Sequence, residues 1–365
     1  MCKILEEIAL SKNYSTKGDV NNMKALVKYD EAEGAYELRE IEAPKPRESE
    51  VLIQIKATAI CGTDIQLLSG KYIGRKPVPI PIIPGHEGTG IITDIGKDVK
   101  GFKVGDRVVF EPLKGCGHCL DCKLGNKNMC YNWEHLGITC DGTFAEYIVV
   151  SQDVVHLLPE NISFQNASCL EPIGLTVRSL EHLNPVLGER AVIIGPGKIG
   201  LFHLQALKAS GVTEIFVIGL ERDKKRFEIA EKLGASVIIN GSKEDPIKRV
   251  MDLTKGRGVD LVIETAHSPK CFSMAIDLAG PKARISTFGL YPEATIAPLS
   301  IIRKGLTICG DVAMLTRHFL RAIRWVEINK VLAEPVITRS FSLEQSQEAI
   351  RVFKEGSEGA IIFEN

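Results

Sequence analysis

The sequence predicts a two-domain protein of the α/β plus β class, and two observations along the chain predict it. From Met23 to about Pro172, short alternating strands are broken by Gly and Pro, which is typical of an all-β domain. From about Gly188 to Gly310, β-branched runs alternate with helix-like segments, which indicates a doubly wound parallel sheet with helices on both faces. The 365 residues are enough for two hydrophobic cores.

The individual elements follow the same patterns. In the β-rich part, strands are predicted over Met23 to Tyr29 and over Val51 to Ala59. In the doubly wound part, strands and helices are predicted in turn at AVIIG, LFHLQALKAS, EIFVIGL, DKKRFEIAEKLGA, SVIIN, DLVIET, KCFSMAIDLAG, ARISTFG and LTICG. A last helix, from about His318 to Asn329, precedes short strands that we expect to complete the first domain.

These patterns divide the chain into four segments. Residues 1–22 are a polar N-terminal extension, in which ILEEIAL could form one amphipathic helix. Residues 23–173 form the β-rich domain and residues 174–315 the doubly wound domain. Residues 316–365 return to the β-rich domain.

Composition and charge exclude several classes of partner. Lys and Arg number 45 and Asp and Glu number 46, so the chain carries no basic footprint for nucleic acid or for an anionic membrane surface. No apolar run approaches the roughly 18 residues of a membrane span, and the first residues lack the pattern of a signal peptide. We therefore expect a cytoplasmic protein with a small-molecule substrate.

Four cysteines are the strongest chemical signal in the sequence. They follow a CxxCxxCx7C spacing and are Cys116, Cys119, Cys122 and Cys130. Four thiolates close the tetrahedral shell of one zinc ion, which leaves no position for a substrate. The spacing therefore predicts a structural zinc site rather than disulfides or scattered thiols.

A glycine-rich turn predicts a dinucleotide site. Gly195, Gly197 and Gly200 form GxGxxG directly after a buried strand and at the start of a helix. The first glycine allows the tight turn, the second admits a pyrophosphate, and the third lets the helix pack on the strand. We include Lys198 and Ile199, which lie inside the turn, among the predicted cofactor residues.

The choice between NAD and NADP stays open. An NAD site usually has an acidic residue at the end of the second strand, and Gly219 aligns with that position. Arg222 could bind a 2′-phosphate, whereas Glu221 could equally bind the ribose hydroxyls. Phe288 and Leu290, near the end of a later strand, complete the predicted cofactor site.

A second set of metal ligands lies in three separate fragments. Cys61 lies in AICGTDIQLLSG, His86 and Glu87 lie in PIIPGHEGTG, and Glu171 lies in ASCLEPIGLTV. A thiolate, an imidazole and a carboxylate can bind zinc and leave a fourth position for water or substrate. The sequence therefore predicts a second, reactive zinc ion.

The chain resembles the zinc-dependent medium-chain dehydrogenase/reductase superfamily, nearest its sorbitol (polyol) and threonine dehydrogenase branch. The resemblance covers Met23 to the C-terminus and rests on motifs in the family's order, namely CGTD, GHE, the four-cysteine segment, GTFAEY, LEP and GPGKIG. It implies a GroES-like catalytic domain and a Rossmann domain that binds NAD or NADP. It also implies a homodimer or a homotetramer.

The resemblance also implies the residues of the reactive site. Cys61 and His86 are zinc ligands, and the third protein ligand is Glu87, Glu171 or each in turn, unless Glu87 only orients the site. Thr63 carries the alcohol proton outward. Many relatives continue this relay with a histidine where this chain has Gln66, which cannot titrate.

The implied reaction moves a hydride between a secondary alcohol of a polyol, sugar or sugar acid and NAD(P), and gives a ketone. Two alternatives are weighed against it. The first is a threonine-like or simple alcohol dehydrogenase. The second is a catalytically silent protein that binds zinc and nucleotide. Arg178 and His135 are candidate substrate contacts.

Overall fold

The structure, a computed structural model, describes residues 21–310 and 312–365. The predicted helix ILEEIAL lies outside the described residues. Within them, no helix combines the length and the apolar character that a membrane span requires.

The first part of the chain is rich in strands, as predicted. Its elements in chain order are β1 (Asn22–Lys28), β2 (Tyr36–Glu42), β3 (Glu50–Ala59), α1 (Gly62–Leu68), β4 (Glu87–Ile95), β5 (Arg107–Phe110), β6 (Leu113–Lys114), α2 (Leu120–Lys123), β7 (Glu134–His135), β8 (Tyr147–Ser151), β9 (Val155–Leu157) and α3 (Phe164–Ala167). The prediction of an all-β domain missed the three helices, because each is only four to seven residues long.

The middle of the chain alternates helix and strand. Its elements are α4 (Leu170–Leu183), β10 (Arg190–Ile194), α5 (Lys198–Ala209), β11 (Glu214–Gly219), α6 (Lys224–Leu233), β12 (Val237–Asn240), α7 (Pro246–Leu253), β13 (Val259–Glu264), α8 (Pro269–Leu278), β14 (Ala279–Thr287), α9 (Pro298–Lys304) and β15 (Thr307–Cys309). The predicted domain boundary at residue 173 falls inside α4, which continues without a break across it.

The middle strands form one six-stranded sheet with every pair parallel, in the order β12-β11-β10-β13-β14-β15. Counted within this sheet, the order is 3-2-1-4-5-6, which is the order of the Rossmann fold and confirms the predicted doubly wound sheet. The order reverses between β10 and β13. Ligands of such sheets bind beside this point, at the carboxyl ends of the strands.

The last residues return to the first part of the chain. They form α10 (Thr316–Glu327), β16 (Ile337–Phe341), α11 (Ser346–Glu355) and β17 (Ala360–Glu364). β17 pairs antiparallel with β3, so the main sheet of the first part has the order β16-β17-β3-β4-β5-β9, with β8 also paired to β3. The C-terminal strands β16 and β17 therefore join the β-rich sheet.

Candidate active site

Asp64 links the two loops that carry the first predicted zinc ligands. It is 1% exposed and lies in the first turn of α1, just after Cys61. The Cys61 amide donates to Asp64 Oδ2 at 2.8 Å, and the Gly85 amide donates to Oδ1 at 3.1 Å. One buried carboxylate thus fixes the position of Cys61 relative to the loop that holds His86.

The His86 imidazole is buried beside the same carboxylate. Its Nδ1 lies 3.3 Å from Asp64 Oδ1, which is an ionic contact without the alignment of a hydrogen bond. Burial lowers the pKa of His86, but the charges of Asp64 and Cys61 outweigh burial and hold this pKa well above its ordinary value. With Nδ1 beside Asp64, the other ring nitrogen is left for a metal.

The ligand atoms of Cys61, His86 and Glu87 form a cluster that fits zinc. All three lie within 4.8 Å of one another. A tetrahedral zinc ion with bonds of about 2.0–2.3 Å separates its ligands by about 3.3–3.8 Å, so small shifts bring this set into range. Three protein ligands would leave the fourth position open.

Glu171 is buried near the cluster but is not part of it. It lies in the first turn of α4 and is 7% exposed. Burial and the negative charge of Glu87 raise the pKa of Glu171 to about 7. The choice between the two glutamates as the third ligand stays a prediction.

The Lys198 side chain lies at the metal cluster, although the sequence predicted it in the cofactor site. Its Nζ donates to the Glu87 carboxylate oxygens at 2.7 and 2.6 Å and to the Ile60 carbonyl at 3.1 Å. Burial lowers the pKa of Lys198, but Glu87 and Cys61 more than offset this and raise it. The backbone of Lys198 still belongs to the glycine-rich turn.

The three glycines of the turn meet the three requirements of a phosphate-binding turn. Gly195 has a φ of +101°, which favours glycine. A Cβ at Gly200 would lie 2.1 Å from the Gly195 carbonyl oxygen, so only glycine allows the helix to pack so closely. A Cβ at Gly197 would meet nothing within 4 Å. This open space at the N-terminus of α5 fits a pyrophosphate.

The residues that would select NAD or NADP lie at the end of β11. At Gly219 a Cβ would lie 2.7 Å from the Phe227 ring, so an acidic side chain does not fit there without a shift. Glu221 is exposed and contacts Lys243 Nζ at 2.8 Å. Arg222 is also exposed. Both predicted partners of the adenosine ribose therefore face solvent, and the choice of cofactor stays a prediction.

The other predicted cofactor residues flank the same edge of the sheet. The Ile199 carbonyl lies 2.8 Å from His203 Nδ1, and the His203 ring packs edge-on against Phe288 with centroids 5.1 Å apart. Leu290 is 57% exposed. Glu264, at the end of β13, accepts a hydrogen bond from the Gly289 amide at 3.1 Å and so holds the loop between them.

Of the predicted relay and substrate residues, Thr63 and Gln66 lie on α1, His135 lies beside His86, and Arg178 lies beside Phe288. Thr63 and Gln66 lie on α1 and are partly exposed. The His135 ring stands edge-on to the His86 ring at 5.3 Å, and burial lowers the pKa of His135 to about 3. The Arg178 guanidinium donates to the Ala313 carbonyl and lies 5.4 Å from the centre of the Phe288 ring. Their roles in the relay and in substrate binding stay predictions.

The four cysteines predicted to hold the structural zinc lie together in a second cluster, with their sulfurs within 4.8 Å of one another. The segment that carries them, from Cys116 to Cys130, is called the cysteine lobe. Cys119 Sγ lies 3.7 Å from Cys130 Sγ, which is far longer than a disulfide bond of about 2.05 Å. A ZnS4 tetrahedron with bonds of about 2.3 Å has edges of about 3.8 Å, so this spacing fits zinc. The amides of Cys116 and Cys122 donate to neighbouring sulfurs, which stabilises thiolates.

Glu111 connects this cysteine lobe to the rest of the protein. Its carboxylate is 1% exposed, accepts from Lys127 Nζ at 2.6 Å and lies 3.0 Å from His156 Nε2. Burial raises the pKa of Glu111, but His156 and Lys127 outweigh burial and hold it below its ordinary value. Lys127 lies between Cys122 and Cys130 in the chain, and Glu111 directly follows β5. The ion pair between Lys127 and Glu111 therefore ties the cysteine lobe to β5.

We expect Glu111→Gln to destabilise the protein by about 3 kcal/mol, because Lys127 loses its buried counter-ion. The lowered pKa means that the carboxylate stabilises the fold above its ordinary pKa of 4.5 and ceases to do so as the pH falls through the lowered value. Denaturant unfolding at pH 7 measures the loss. Glu134→Gln, an exposed carboxylate on β7, is the matched control. Equal unfolding free energies for Glu111→Gln and the wild type would contradict this account.

The contacts of Asp64, Glu111 and Lys198 were not predicted from the sequence. Asp64 follows Cys61 by three residues inside the quoted CGTD motif, so a helix-capping pattern was the available signal. Glu111 directly follows β5, and a charge at the end of a strand is by itself no signal for a partner 16 residues away. Lys198 is predicted among the cofactor residues because it lies inside the turn, and no local signal points to its partner Glu87, 111 residues away.

Comparisons with known proteins identify the family. A model of the alcohol dehydrogenase GroES-like domain matches residues 47–160, and a model of the zinc-binding dehydrogenase family matches residues 199–327. These matches confirm the predicted GroES-like domain and the predicted combination of the two folds.

Full-length relatives agree with these matches. The chain is 35% identical to L-threonine 3-dehydrogenase from Pyrococcus abyssi over 93% of its own length and 98% of the relative. It is 32% identical to sorbitol dehydrogenase from Halalkalibacterium halodurans, over 92% and 97%. A crystal structure of an alcohol dehydrogenase from E. coli CFT073 complexed with NADH matches with a TM-score of 0.86 and 29% identity, over 94% of this chain and 100% of that one. The chain belongs to the zinc-dependent medium-chain dehydrogenase/reductase superfamily and is an oxidoreductase.

Proposed function

We propose that the protein oxidises a secondary alcohol with NAD or NADP at a zinc ion held by Cys61, His86 and a glutamate. The observation that carries the proposal is the buried cluster of thiolate, imidazole and carboxylate atoms, which lie within 4.8 Å of one another. This set fits zinc and provides three ligands, which is typical of catalytic rather than structural zinc. The fully thiolate lobe is the matching structural site.

Each residue of the site has a part in this reaction. Zinc, when bound, polarises the substrate hydroxyl and lowers its pKa. Asp64 holds the His86 ring through Nδ1 and fixes the Cys61 loop. Thr63 accepts the proton that leaves the hydroxyl and passes it outward. The glycine turn at the start of α5 would hold the cofactor's pyrophosphate, and the nicotinamide would supply the hydride acceptor.

The substrate is a polyol, a sugar or sugar acid, or a threonine-like amino alcohol. These compounds share a secondary alcohol flanked by polar groups, so the zinc chemistry is the same for all of them. The threonine-like alternative fits at least as well as the polyol, because the 35% identity to a threonine dehydrogenase exceeds the 32% identity to a sorbitol dehydrogenase. The predicted homodimer or homotetramer and the cytoplasmic location remain predictions.

Cofactor reduction over a substrate panel tests the proposal. The panel contains L-threonine, sorbitol, a sugar acid and a simple secondary alcohol, each with NAD and with NADP. We expect turnover with one hydroxyl-rich or amino-alcohol substrate and loss of turnover after removal of zinc with a chelator. A protein that binds zinc and nucleotide but reduces no cofactor with any member would support the catalytically silent alternative.

We expect Gln66→His to raise turnover at low pH or to leave it unchanged. A glutamine can pass hydrogen bonds to water but cannot be the terminal base, whereas a histidine can accept the proton. The pH profile of kcat measures the effect. A collapse of turnover in this variant would instead give Gln66 a specific role of its own.

A further inference from the structure

We propose that His135 is a specificity-determining residue, whose Nε2 accepts a hydrogen bond from a substrate hydroxyl on the carbon next to the carbinol that is oxidised. The substrate is then a polyol, a sugar or a sugar acid with neighbouring hydroxyls, in preference to an amino alcohol or a simple alcohol. This inference rests on the proposed function and chooses among the substrates that the zinc chemistry allows.

The first argument is the position of the proton on the His135 ring. Nδ1 lies 2.8 Å from the Leu136 carbonyl oxygen, which can only accept, so Nδ1 carries a proton. His135 is 8% exposed, and no carboxylate in the described part of the chain bonds to it. A charged ring would be costly in that setting. In the neutral ring, Nε2 holds a lone pair and is a hydrogen-bond acceptor.

The second argument is where this acceptor lies. The His135 ring stands edge-on to the His86 ring, with centroids 5.3 Å apart, so it borders the proposed zinc site. Within residues 21–310 and 312–365, no protein group donates to His135 Nε2. This nitrogen is nevertheless not sealed in the interior, in contrast to His86 Nδ1 and His203 Nε2. A ligand that donates to Nε2 would explain an unpaired acceptor on so deeply buried a side chain.

The third argument is the charge around the ring. Trp133 stands edge-on to His135, with centroids 6.0 Å apart. The Arg75 guanidinium and Lys76 Nζ lie 5.0 and 5.4 Å from the centre of the Trp133 ring. The carboxylate of Asp64 also acts on the His135 ring, but it already accepts from two backbone amides. A substrate ammonium would therefore meet cations without a counter-ion of its own, whereas a neutral hydroxyl would not.

Three short alcohols make the role of His135 measurable. Butane-2,3-diol, 3-aminobutan-2-ol and butan-2-ol share a carbon chain and a reacting carbinol, and differ only in the group on the next carbon. For the zinc-loaded full-length protein we expect kcat/KM to be about a hundredfold higher for the diol than for the other two, because a site built to bond a hydroxyl rejects analogues that lack it. His135→Phe keeps an aromatic ring without an acceptor, so the preference should fall about tenfold. His135→Gln, whose amide oxygen can accept, should retain part of it.

The control is His182→Phe, an exposed histidine on α4, which should keep the wild-type preference. Three results would each overturn the inference and leave the proposed function standing. They are a wild type that oxidises the diol and butan-2-ol equally well, one that prefers the amino alcohol, and an unchanged preference in His135→Phe. If only longer substrates react, sorbitol is compared with L-threonine, and faster oxidation of L-threonine likewise overturns the inference. A zinc-loaded wild type that reduces no cofactor with any of these alcohols would instead overturn the proposed function itself.

Discussion

Cys61→Ser should lower turnover by about a thousandfold or more and reduce the zinc content from two ions to one per chain. The thiolate is the only sulfur ligand of the proposed reactive zinc, and a serine hydroxyl is a far weaker ligand. Loss of the zinc removes several kcal/mol of charge stabilisation from the hydride step, and about 4 kcal/mol corresponds to a thousandfold. Metal analysis and steady-state kinetics on one preparation measure both effects.

Cys140→Ser is the matched control for this variant. Cys140 is a free, partly exposed thiol outside both metal clusters, so we expect it to keep two zinc ions and wild-type turnover. Full activity of Cys61→Ser would remove Cys61 from the site. Loss of both zinc ions in Cys61→Ser would show general unfolding, which the melting temperature would reveal.

Cys119→Ser should destabilise the protein before it changes the hydride step. The lobe zinc has a closed shell of four thiolates, so its loss removes folding free energy and leaves the reactive site in place. We expect the melting temperature to fall by on the order of 5 °C or more. Turnover per correctly folded, zinc-loaded active site should stay close to that of the wild type.

The zinc content separates the roles of the two clusters. Cys119→Ser should keep the reactive zinc and lose the lobe zinc, which is the reverse of Cys61→Ser. Thermal unfolding and metal analysis, with Cys140→Ser again as control, decide the outcome. If Cys119→Ser stays fully loaded at two zinc ions per chain, the assignment of this ligand is wrong.

Much of the fold was predictable because its signals are local. The strand, glycine turn and helix around Gly195 lie within about one supersecondary unit, and the alternation after it fixes a parallel sheet. A return of residues 316–365 to the first domain was also predicted, but the pairing of β17 with β3 was not. The short helix α1 was not, because seven residues give less than two full turns of hydrophobic periodicity.

The site was predictable in its ligands but not in their supporting contacts. Cysteine spacing and the GHE motif point to metal from residue type alone. The contact between Lys198 and Glu87 depends on how the two domains pack, and the residues are 111 positions apart. Likewise, Asp64 acts on His86 only because the loops after β3 and before β4 meet. Such contacts have no sequence period to reveal them.

The most direct test of the proposed reaction follows the hydrogen atom itself. Zinc-loaded protein is incubated with NAD or NADP and with L-threonine or sorbitol. Each substrate carries deuterium on its carbinol carbons, and the mass of the reduced cofactor is measured by mass spectrometry. We predict a reduced nicotinamide that contains one deuterium, formed by the wild type and absent with Cys61→Ser. Reduced cofactor without deuterium, or no reduced cofactor from these or any other deuterated secondary alcohol, would contradict a direct hydride transfer at this site.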